Sequence, residues 1–259
     1  MARFVPAGWS EADVLRELID GPARAFVPFP ELEVVERPDF ARLTCALFPS
    51  GGFNGVSRMK VADDVADRLI DETLADYRRR GLRFRWPVMP DASPADLASR
   101  LAARGLASHE VVAMARATAV AAPASGCSVE LVDETNVDLF TRVMAEGWSA
   151  PAGPLERYHR LTLRAPGRPQ RLFLARVDGE PAGVASAMFF ERSMYLLGGV
   201  VLERFRKRGV YDALTRARLA MAHENGLPLA TTHAMAATSA PLLARRGFDE
   251  WFRFPSFSG

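Results

Sequence analysis

A strand, a basic loop and a long helix follow one another directly between Tyr195 and Gly226, and this succession constrains the fold more than any other feature. The strand reads YLLGGVV, the loop contains RFRKRG, and the helix is predicted over 210–224. The first turn of a helix carries backbone N–H groups without intrahelical partners and the positive end of the helix dipole. Gly209 gives the loop an open backbone, so that these N–H groups can face an anion. The segment therefore predicts a diphosphate site in an α/β fold.

Positive charge in this loop supports the same prediction. Arg206, Lys207 and Arg208 are suited to a diphosphate or to a nucleotide phosphate. An isolated RKRG is more simply a solvated basic turn before a surface helix, and on the loop alone that interpretation stays open. The whole chain has 33 basic and 31 acidic residues, a net charge of +2, which is too balanced for a broad nucleic-acid-binding face. Any anion site is therefore local, and no nucleic acid partner is expected.

Composition argues against several classes of protein. Hydrophobic residues make up 49% and charged residues 25%, which is enough to bury a core and argues against disorder. Cys45 and Cys127 are far apart and the histidines show no HxxxH spacing, so neither a disulfide framework nor a metal site is expected. No uncharged apolar stretch reaches membrane-spanning length, and acidic residues interrupt the N-terminus where a signal peptide is apolar. We expect a soluble, cytoplasmic protein without a metal and without membrane association.

The first part of the chain follows the order strand, helix, strand, helix, strand. Its best-defined helix is predicted over 62–80, because Asp63 and Asp64 in the first turn and three arginines in the last complement the helix dipole. The strands are NGVSRMKV, LRFRWPVM and HEVVAMARA. Ser93 marks the start of a short second helix, which Gly105 stops. This part of the chain predicts one α/β unit.

The second part of the chain repeats this order after an antiparallel meander. An amphipathic helix around Phe140 precedes the hairpin RLFLARVDGEPAGVASAMFF, which turns at Asp178-Gly179. The strand MYLLGGVV, the long helix, the strand LPLATTH, a short helix near 239–246 and the strand FDEWFRF follow. The buried stripe predicted for the long helix leaves out Leu219 and consists of Val210, Ala213, Leu214, Ala217 and Met221.

The two parts look like repeats of one unit, joined by an alanine-rich linker over 117–127. In each part a helix ends at Gly-Leu, a strand follows, and a short proline-containing helix ends at Arg-Gly. Common cap chemistry can produce that pattern by coincidence, and the linker can also be a strand end and turn inside one domain, so both alternatives stay open. The preferred interpretation is two domains, residues 1–122 and 127–259.

The loop and long helix resemble the GNAT superfamily of acyl-CoA-dependent N-acyltransferases. The phosphate-binding motif of that family, R/Q-x-x-G-x-G/A, lies between a strand and a long helix, and this sequence matches it at Arg206 and Gly209. Tyr211 departs from the motif, since a small residue is usual there. The resemblance covers about 128–254. It includes Gly198-Gly199, where a bulge is predicted in the strand, and SAPLLARRGF, which is similar to the family's closing helix and Gly-Phe turn.

The resemblance implies acetyl-CoA as a co-substrate and identifies the residues that bind it. In this family the bulged strand separates from its neighbour, the pantetheine arm lies in the gap, and a backbone N–H, here that of Val201, is a candidate to polarise the acyl carbonyl. The family often has a tyrosine four residues before the closing glycine as a general acid, whereas this sequence has Leu243. The implied binding residues are Val200, Val201, Arg206, Lys207, Arg208, Gly209, Val210, Tyr211 and Asp212.

The fold implied by the resemblance is a pair of GNAT-like α/β domains, each with a central mixed, largely antiparallel sheet flanked by helices. The first domain resembles a degenerate copy, because its junction RMKVADDVADRL is acidic and lacks a glycine, so no cofactor site is expected there. The second implies an N-acetyltransferase that transfers an acetyl group to a primary amine by direct attack. The acceptor is a small-molecule amine or a peptide amine, and a homodimer stays open.

Residues that move protons are harder to identify in this sequence. His233 could serve as a base, although a lone histidine is more often a hydrogen-bonded structural residue. Glu203 could relay a proton through water or be an exposed loop carboxylate, and Tyr195 could be catalytic or could only pack. The catalytic residues are therefore left unassigned.

Three tryptophans, Trp86, Trp148 and Trp251, are expected to be buried in a core or between domains, because tryptophan is commonly buried for its area. A second interpretation stays open for Trp148. It lies in the stretch EGWSAPAGPLE, which in the GNAT family would form part of the acceptor cleft.

Two other classes of function stay open. The missing tyrosine and the substituted Tyr211 would also suit a non-catalytic protein that binds acyl-CoA as a sensor or serves as a scaffold. A nucleotide-binding domain with another chemistry would bind ATP or NAD. That class is disfavoured, because no Walker lysine motif and no GxGxxG follows a predicted strand.

Overall fold

The structure is a computed structural model that describes residues 3–119 and 126–259. In chain order its helices are α1 (Glu11–Asp20), α2 (Asp63–Arg79), α3 (Leu97–Ala103), α4 (Val137–Trp148), α5 (Ala152–Arg164), α6 (Val210–Glu224) and α7 (Ser239–Ala244). Its strands are β1 (Glu33–Glu36), β2 (Phe40–Thr44), β3 (Gly55–Met59), β4 (Arg85–Pro87), β5 (Ala107–Ala117), β6 (Ser128–Leu131), β7 (Gln170–Val177), β8 (Glu180–Phe189), β9 (Ser193–Val201), β10 (Leu229–Met235) and β11 (Asp249–Ser258). Short 3₁₀ turns lie at Pro22–Arg24 and Glu203–Phe205.

The chain forms two compact units, and each takes segments from both ends of the sequence. The larger unit consists of Met1–Val27, Met114–Thr232 and Ala244–Asp249. The smaller unit consists of Pro28–Ala113, His233–Leu243 and Glu250–Gly259. Both units thus combine residues from before and after the predicted linker, whereas the sequence predicted the contiguous domains 1–122 and 127–259. Residues 120–125 of that linker lie outside the described residues.

The larger unit is built on a mixed sheet with the strand order β5–β10–β9–β8–β7–β6. Strands β6 to β9 are antiparallel neighbours, and β9 and β10 are parallel. The β7–β8 hairpin turns at Asp178 and Gly179, whose φ angles of 53° and 82° suit the primed turn that the sequence predicted. Strand β8 is buried along most of its length, because α4 and α6 both pack against it. This sheet is the mixed, helix-flanked sheet expected from the sequence.

The smaller unit has the strand order β1–β2–β3–β4–β11–β5. Strands β3 and β4 are parallel, and β11 pairs antiparallel with β4 through Phe257 and Trp86. The closing strand of the sequence therefore completes a sheet whose other members come from residues 33–117. Its core lies beneath α2 and includes Ile70, Tyr77, Trp86 and Phe257.

The sequence patterns predicted the longer elements better than the short ones. Helices α2 and α6 and the strands β7 to β9 were predicted close to their observed bounds. Helices α1 and α5 and the strands β1, β2 and β6 were not predicted. Helix α5 begins inside the stretch EGWSAPAGPLE with Pro154 in its first turn, a position that is compatible with a helix.

The buried face of α6 differs from the predicted stripe. Leu219, which was placed outside the stripe, is 1% exposed, whereas Ala217 and Met221 are only half-buried. Two polar residues, Thr215 and Arg218, are buried instead. The prediction was wrong at these positions, because a strictly apolar pattern excludes an arginine from a buried helix face.

A buried histidine joins α4 to α5 in the larger unit. His159 is 2% exposed, and its Nδ1 lies 2.8 Å from the Thr141 Oγ1. The Phe140 ring meets the imidazole edge-on at 4.8 Å between ring centroids. Burial lowers the pKa of His159 to about 3, because the charged imidazolium would lose its hydration. The residue is therefore neutral and structural near neutral pH.

No helix among the described residues combines the length and the apolar character that crossing a membrane would need.

We expect Phe257→Ala to weaken the smaller unit selectively. The side chain is 3% exposed in the core beneath α2, so its removal should lower the free energy of unfolding by about 3–5 kcal/mol. Urea denaturation measures this loss, and amide hydrogen exchange should show protection falling in α2 and β3. Phe252→Ala removes the same atoms from a half-buried position of β11 and should cost less. If amide protection fell only within residues 127–259, the result would instead support the contiguous domains predicted from the sequence.

His159 should make the protein less stable in mild acid. Its pKa of about 3 in the folded state lies below the ordinary value of 6.5, so protonation favours the unfolded chain. The stabilisation is complete above pH 6.5 and falls by about 1.4 kcal/mol for each pH unit below it. Urea unfolding at pH 7 and pH 5 should therefore show a smaller pH dependence in His159→Gln, which keeps a polar partner for Thr141. Equal pH dependences in the native protein and in His159→Gln would refute the role assigned to His159.

Candidate functional site

A β-bulge interrupts the pairing of β8 with β9 at the predicted position. Ser186 pairs with Leu197 and Ala185 pairs with Gly199, which leaves Gly198 without a partner in the ladder. Both Gly198 and Gly199 are exposed. The predicted bulge is confirmed, and it presents bare backbone to solvent in the middle of the larger unit.

Aromatic side chains lie next to the two bulge glycines. A Cβ built on Gly198 would lie 2.8 Å from the Trp148 Cζ2, so the indole rests directly on this glycine. A Cβ built on Gly199 would lie 3.8 Å from the Tyr211 Cε2. Because adjacent residues of a strand face opposite sides of a sheet, Trp148 and Tyr211 approach the strand from opposite faces. Trp148 is 48% exposed, which overturns the expectation of a buried side chain and leaves an aromatic surface beside the bulge.

Beyond the bulge, β9 has an open edge. The ladder between β9 and β10 covers Ser193 to Tyr195, while β9 continues to Val201. The Leu202 N–H donates to the Ala182 carbonyl of the β8 side at 3.0 Å. Hydrogen-bonded and non-hydrogen-bonded pairs alternate along antiparallel strands, so the Val201 N–H and C=O point away from β8. The backbone of Val201 therefore faces the open edge.

The end of α4 packs very closely against this strand. A Cβ built on Gly147 would lie 2.1 Å from the Val200 Cγ2, so no side chain fits at position 147 in this arrangement. Ser149 then ends the helix in the left-handed conformation with a φ angle of 51°. Glycine at position 147 lets Trp148 reach Gly198, and the close packing fixes the position of Val200.

The first turn of α6 lies at the end of the same strand and has no side-chain cap. Gly209 is the N-cap residue, with a φ angle of 80° that favours glycine, and a Cβ built there would meet no atom within 4 Å. The first intrahelical bond runs from the Ala213 N–H to the Gly209 carbonyl at 2.9 Å. The N–H groups of Val210, Tyr211 and Asp212 therefore have no intrahelical acceptor, which is the arrangement that binds anions.

Basic side chains surround this helix end. Arg206 lies 3.7 Å from the Glu203 carboxylate, and Arg208 donates to Asp178 at 2.7 Å. Their side chains are 64% and 47% exposed, so these ion pairs are weak and both groups can reorient toward another anion. Lys207 is also exposed and has a φ angle of 63°, which turns the loop sharply.

Tyr211 occupies the motif position where a small residue was expected. Its ring lies 5.2 Å from the Arg246 guanidinium, which also donates to Asp212 through its Nε at 3.0 Å. Arg216 donates to the other Asp212 oxygen at 2.7 Å. These contacts hold the Tyr211 ring and the Asp212 carboxylate to the side of the helix, so the two backbone N–H groups stay at its N-terminus.

A family model for the acetyltransferase (GNAT) domain matches residues 115–231. This range contains the bulge, the open edge of β9 and the first turn of α6 described above. The chain contains a GNAT acetyltransferase domain. No curated protein matches the chain in sequence.

Solved structures of GNAT proteins share the fold over nearly the whole chain. A GCN5-related N-acetyltransferase from Kribbella flavida aligns with a TM-score of 0.66 at 15% identity, covering 97% of this chain and 95% of that one. A tandem GNAT protein from the clavulanic acid biosynthesis pathway aligns with a TM-score of 0.61 at 15% identity, covering 93% and 87%. A GCN5-related N-acetyltransferase from Sphaerobacter thermophilus aligns with a TM-score of 0.60 at 15% identity, covering 97% and 86%. At these identities the likeness establishes the fold alone.

The predicted binding residues of the GNAT domain all lie in the larger unit, along one continuous path. Val200 and Val201 end the bulged strand, Arg206 to Gly209 form the loop, and Val210 to Asp212 form the first turn of α6. Val210 differs from the others, because its side chain is 1% exposed and only its backbone is available to a ligand.

The three candidates for proton transfer are distributed differently. His233 belongs to the smaller unit, where its ring contacts Phe254 at 4.8 Å. Glu203 is exposed beside Arg206, and Tyr195 is 7% exposed at a paired position of β9, which favours packing. Leu243 is buried in α7. No cluster of three metal-ligating side chains occurs among the described residues.

Gly147→Ala should strain the contact between α4 and β9. The new methyl group would overlap the Val200 side chain, and overpacking of this kind costs about 1–3 kcal/mol. Val200→Ala removes the overlapping methyl groups, so the double variant should be more stable than the sum of the two single effects predicts. Thermal denaturation of all three variants measures this coupling. Gly153→Ala in α5 is the control, because a Cβ there meets nothing within 4 Å, and additive effects at 147 and 200 would contradict the packing described.

Proposed function

We propose that this protein is an acetyl-CoA-dependent N-acetyltransferase that acts on a primary amine. The observation that carries the proposal is the continuous path from the bulge at Gly198 to the uncapped first turn of α6. A strand edge with free backbone groups and a helix N-terminus with free N–H groups suit two parts of one extended ligand. An isolated anion site would need only the second of these features.

The residues along this path fit acetyl-CoA. The N–H groups of Val210, Tyr211 and Asp212, with the basic side chains of the loop, suit the diphosphate, because dipole and charge both favour an anion there. The pantetheine arm carries amide groups, and the Val201 backbone faces the open edge where such amides can pair. Acetyl-CoA supplies the activated acyl group, and the protein positions the reactants and stabilises the charge that develops.

The proposed reaction is direct attack of a neutral amine on the thioester carbonyl carbon. A carbon–nitrogen bond forms, the carbon–sulfur bond breaks, and the amine proton is lost while the CoA thiolate gains one. The Val201 N–H is suited to stabilise negative charge on the carbonyl oxygen, since it points to the open edge. No side chain is assigned as acid or base, and Leu243 supplies no proton where the family often has tyrosine.

The acceptor is proposed to approach from the side of Trp148. This side chain rests on Gly198 and is exposed, so it offers an aromatic wall next to the strand backbone. A wall of this kind suits a small-molecule amine or a peptide amine. The smaller unit is proposed to carry no acetyl-CoA site, because α2 begins with Asp63 and Asp64 and has no glycine at its N-cap.

Arg206→Glu should weaken acetyl-CoA binding by about tenfold or more, because it places a negative charge beside the diphosphate. Isothermal titration calorimetry at low ionic strength measures the dissociation constant, and added salt should weaken binding to the native protein. Arg16→Glu in α1 is a matched control with the same charge change and the same 64% exposure, and it should bind normally. An equal loss in both variants would assign the effect to net charge and not to the loop.

Turnover is tested by thiol release. The protein is mixed with acetyl-CoA and a panel of small amines, amino sugars and peptides, and free CoA is detected with a thiol-reactive dye. Amine-dependent release supports the proposal. Tight binding of acetyl-CoA with no release for any acceptor would favour the sensor or scaffold, and the absence of binding would refute the acetyl-CoA site.

A further inference from the structure

One face of helix α6 carries a line of polar residues that faces β9. Tyr211, Thr215 and Arg218 are spaced four and three residues apart, so they share one face of the helix. The Thr215 hydroxyl donates to the Tyr211 carbonyl at 2.8 Å, and the Arg218 Nη2 reaches the Thr215 Oγ1 at 3.5 Å. Arg218 is 2% exposed and lies deepest on this line.

The guanidinium of Arg218 bonds both strands at the bulge. Its Nη1 donates to the carbonyl oxygens of Ser186 on β8 and Leu197 on β9, each at 3.2 Å. These two residues are the last regular pair before the unpaired Gly198. The Nε donates to the Leu214 carbonyl at 3.0 Å within the helix, which fixes the direction of the side chain. Arg218 thus connects the helix with both strands at the point where their ladder shifts.

Every acceptor of Arg218 is a neutral oxygen, and its charge is compensated by no carboxylate among the described residues. Burial lowers its pKa to about 10, so the group still carries its charge at neutral pH. Burying a charge without a counter-ion is expensive, and an apolar side chain of similar length would fill the same space at less cost. A purely packing role therefore explains the arginine poorly.

We propose that Arg218 is a positioning residue that holds the bulge in the shape required for acyl transfer. A bulge shifts the ladder by one residue, so nearby carbonyl groups lose their regular strand partners. The guanidinium has donors on three nitrogens, so Nη1 can bond both strand carbonyls while Nε and Nη2 bond the helix, which a single lysine ammonium or an apolar side chain cannot do. With Ser186 and Leu197 fixed, the orientation of the next peptide groups, through Val201, is fixed too. This role rests on the proposed function, since the peptide groups held are those that would meet the thioester.

The test compares Arg218→Met, Arg218→Lys and Leu219→Ala. Methionine keeps the length and loses the donors, and lysine keeps the charge but loses the separate Nε and Nη2 donors. Leu219→Ala destabilises the same helix from a buried apolar position. Hydrogen-exchange mass spectrometry follows the amides of residues 197–201, thermal denaturation follows stability, and calorimetry and thiol release follow acetyl-CoA binding and kcat.

For Arg218→Met we expect exchange at the bulge to rise about tenfold and kcat to fall by about tenfold or more. Its acetyl-CoA dissociation constant should rise by a smaller factor than kcat falls, because the proposed diphosphate site at the first turn of α6 is not altered. In Arg218→Lys, both the exchange rate at the bulge and kcat should lie between the values for Arg218→Met and for the native protein. Leu219→Ala should lower the melting temperature without a local rise in exchange at the bulge and without a loss of kcat.

Two outcomes would overturn the inference. One is unchanged exchange at 197–201 in Arg218→Met, and the other is equal local effects in Arg218→Met and Leu219→Ala, which would indicate general destabilisation. If the native protein neither binds acetyl-CoA nor releases thiol, the proposed function fails. The exchange data then still decide whether Arg218 holds the bulge.

Discussion

The arrangement of the larger unit depends on one irregular strand. A regular β9 would offer its backbone to neighbours on both edges, and no bare peptide groups would be left for a ligand. The early end of the β9–β10 ladder at Tyr195 leaves one edge of β9 open, and the bulge at Gly198 shifts the register on the opposite edge, against β8. Pairing with β8 resumes at Gly199, which keeps the strand in the sheet. Helix α6 then begins directly beyond this strand, so its free N–H groups continue the same open surface.

Holding an irregular strand in place requires close contacts from both faces of the sheet. On one face Gly147 allows α4 to approach Val200 so closely that Trp148 contacts Gly198. On the other face Tyr211 approaches Gly199, and Arg218 bonds the carbonyl groups before the bulge. The open edge is therefore positioned by contacts with both faces of the sheet. Its irregularity is compensated by specific side chains and does not depend on the loop alone.

Local signals in the sequence predicted the backbone features of β9 and α6 better than the side-chain packing around them. A double glycine in an apolar strand and a glycine at a helix start have backbone consequences that hold in any context, so the bulge at Gly198 and the N-cap at Gly209 were both predicted. The exposure of Trp148 was harder to predict, because burial of a tryptophan depends on which other elements pack over it. Arg218 was missed, since its partners Ser186 and Leu197 are far away in sequence. The available signal was the spacing of Tyr211, Thr215 and Arg218, which places a line of polar residues on one face of the helix.

The position of β11 has a consequence for how the chain is made. The sheet of the smaller unit begins with residues 33–36 and has β11, residues 249–258, between β4 and β5. During synthesis the first strands of that sheet leave the ribosome long before the strand that completes it. Until then β4 has an unpaired edge, and unpaired edges in growing chains favour aggregation or incorrect pairing. The sheet of the smaller unit therefore cannot be completed until β11 has been synthesised, long after its first strands.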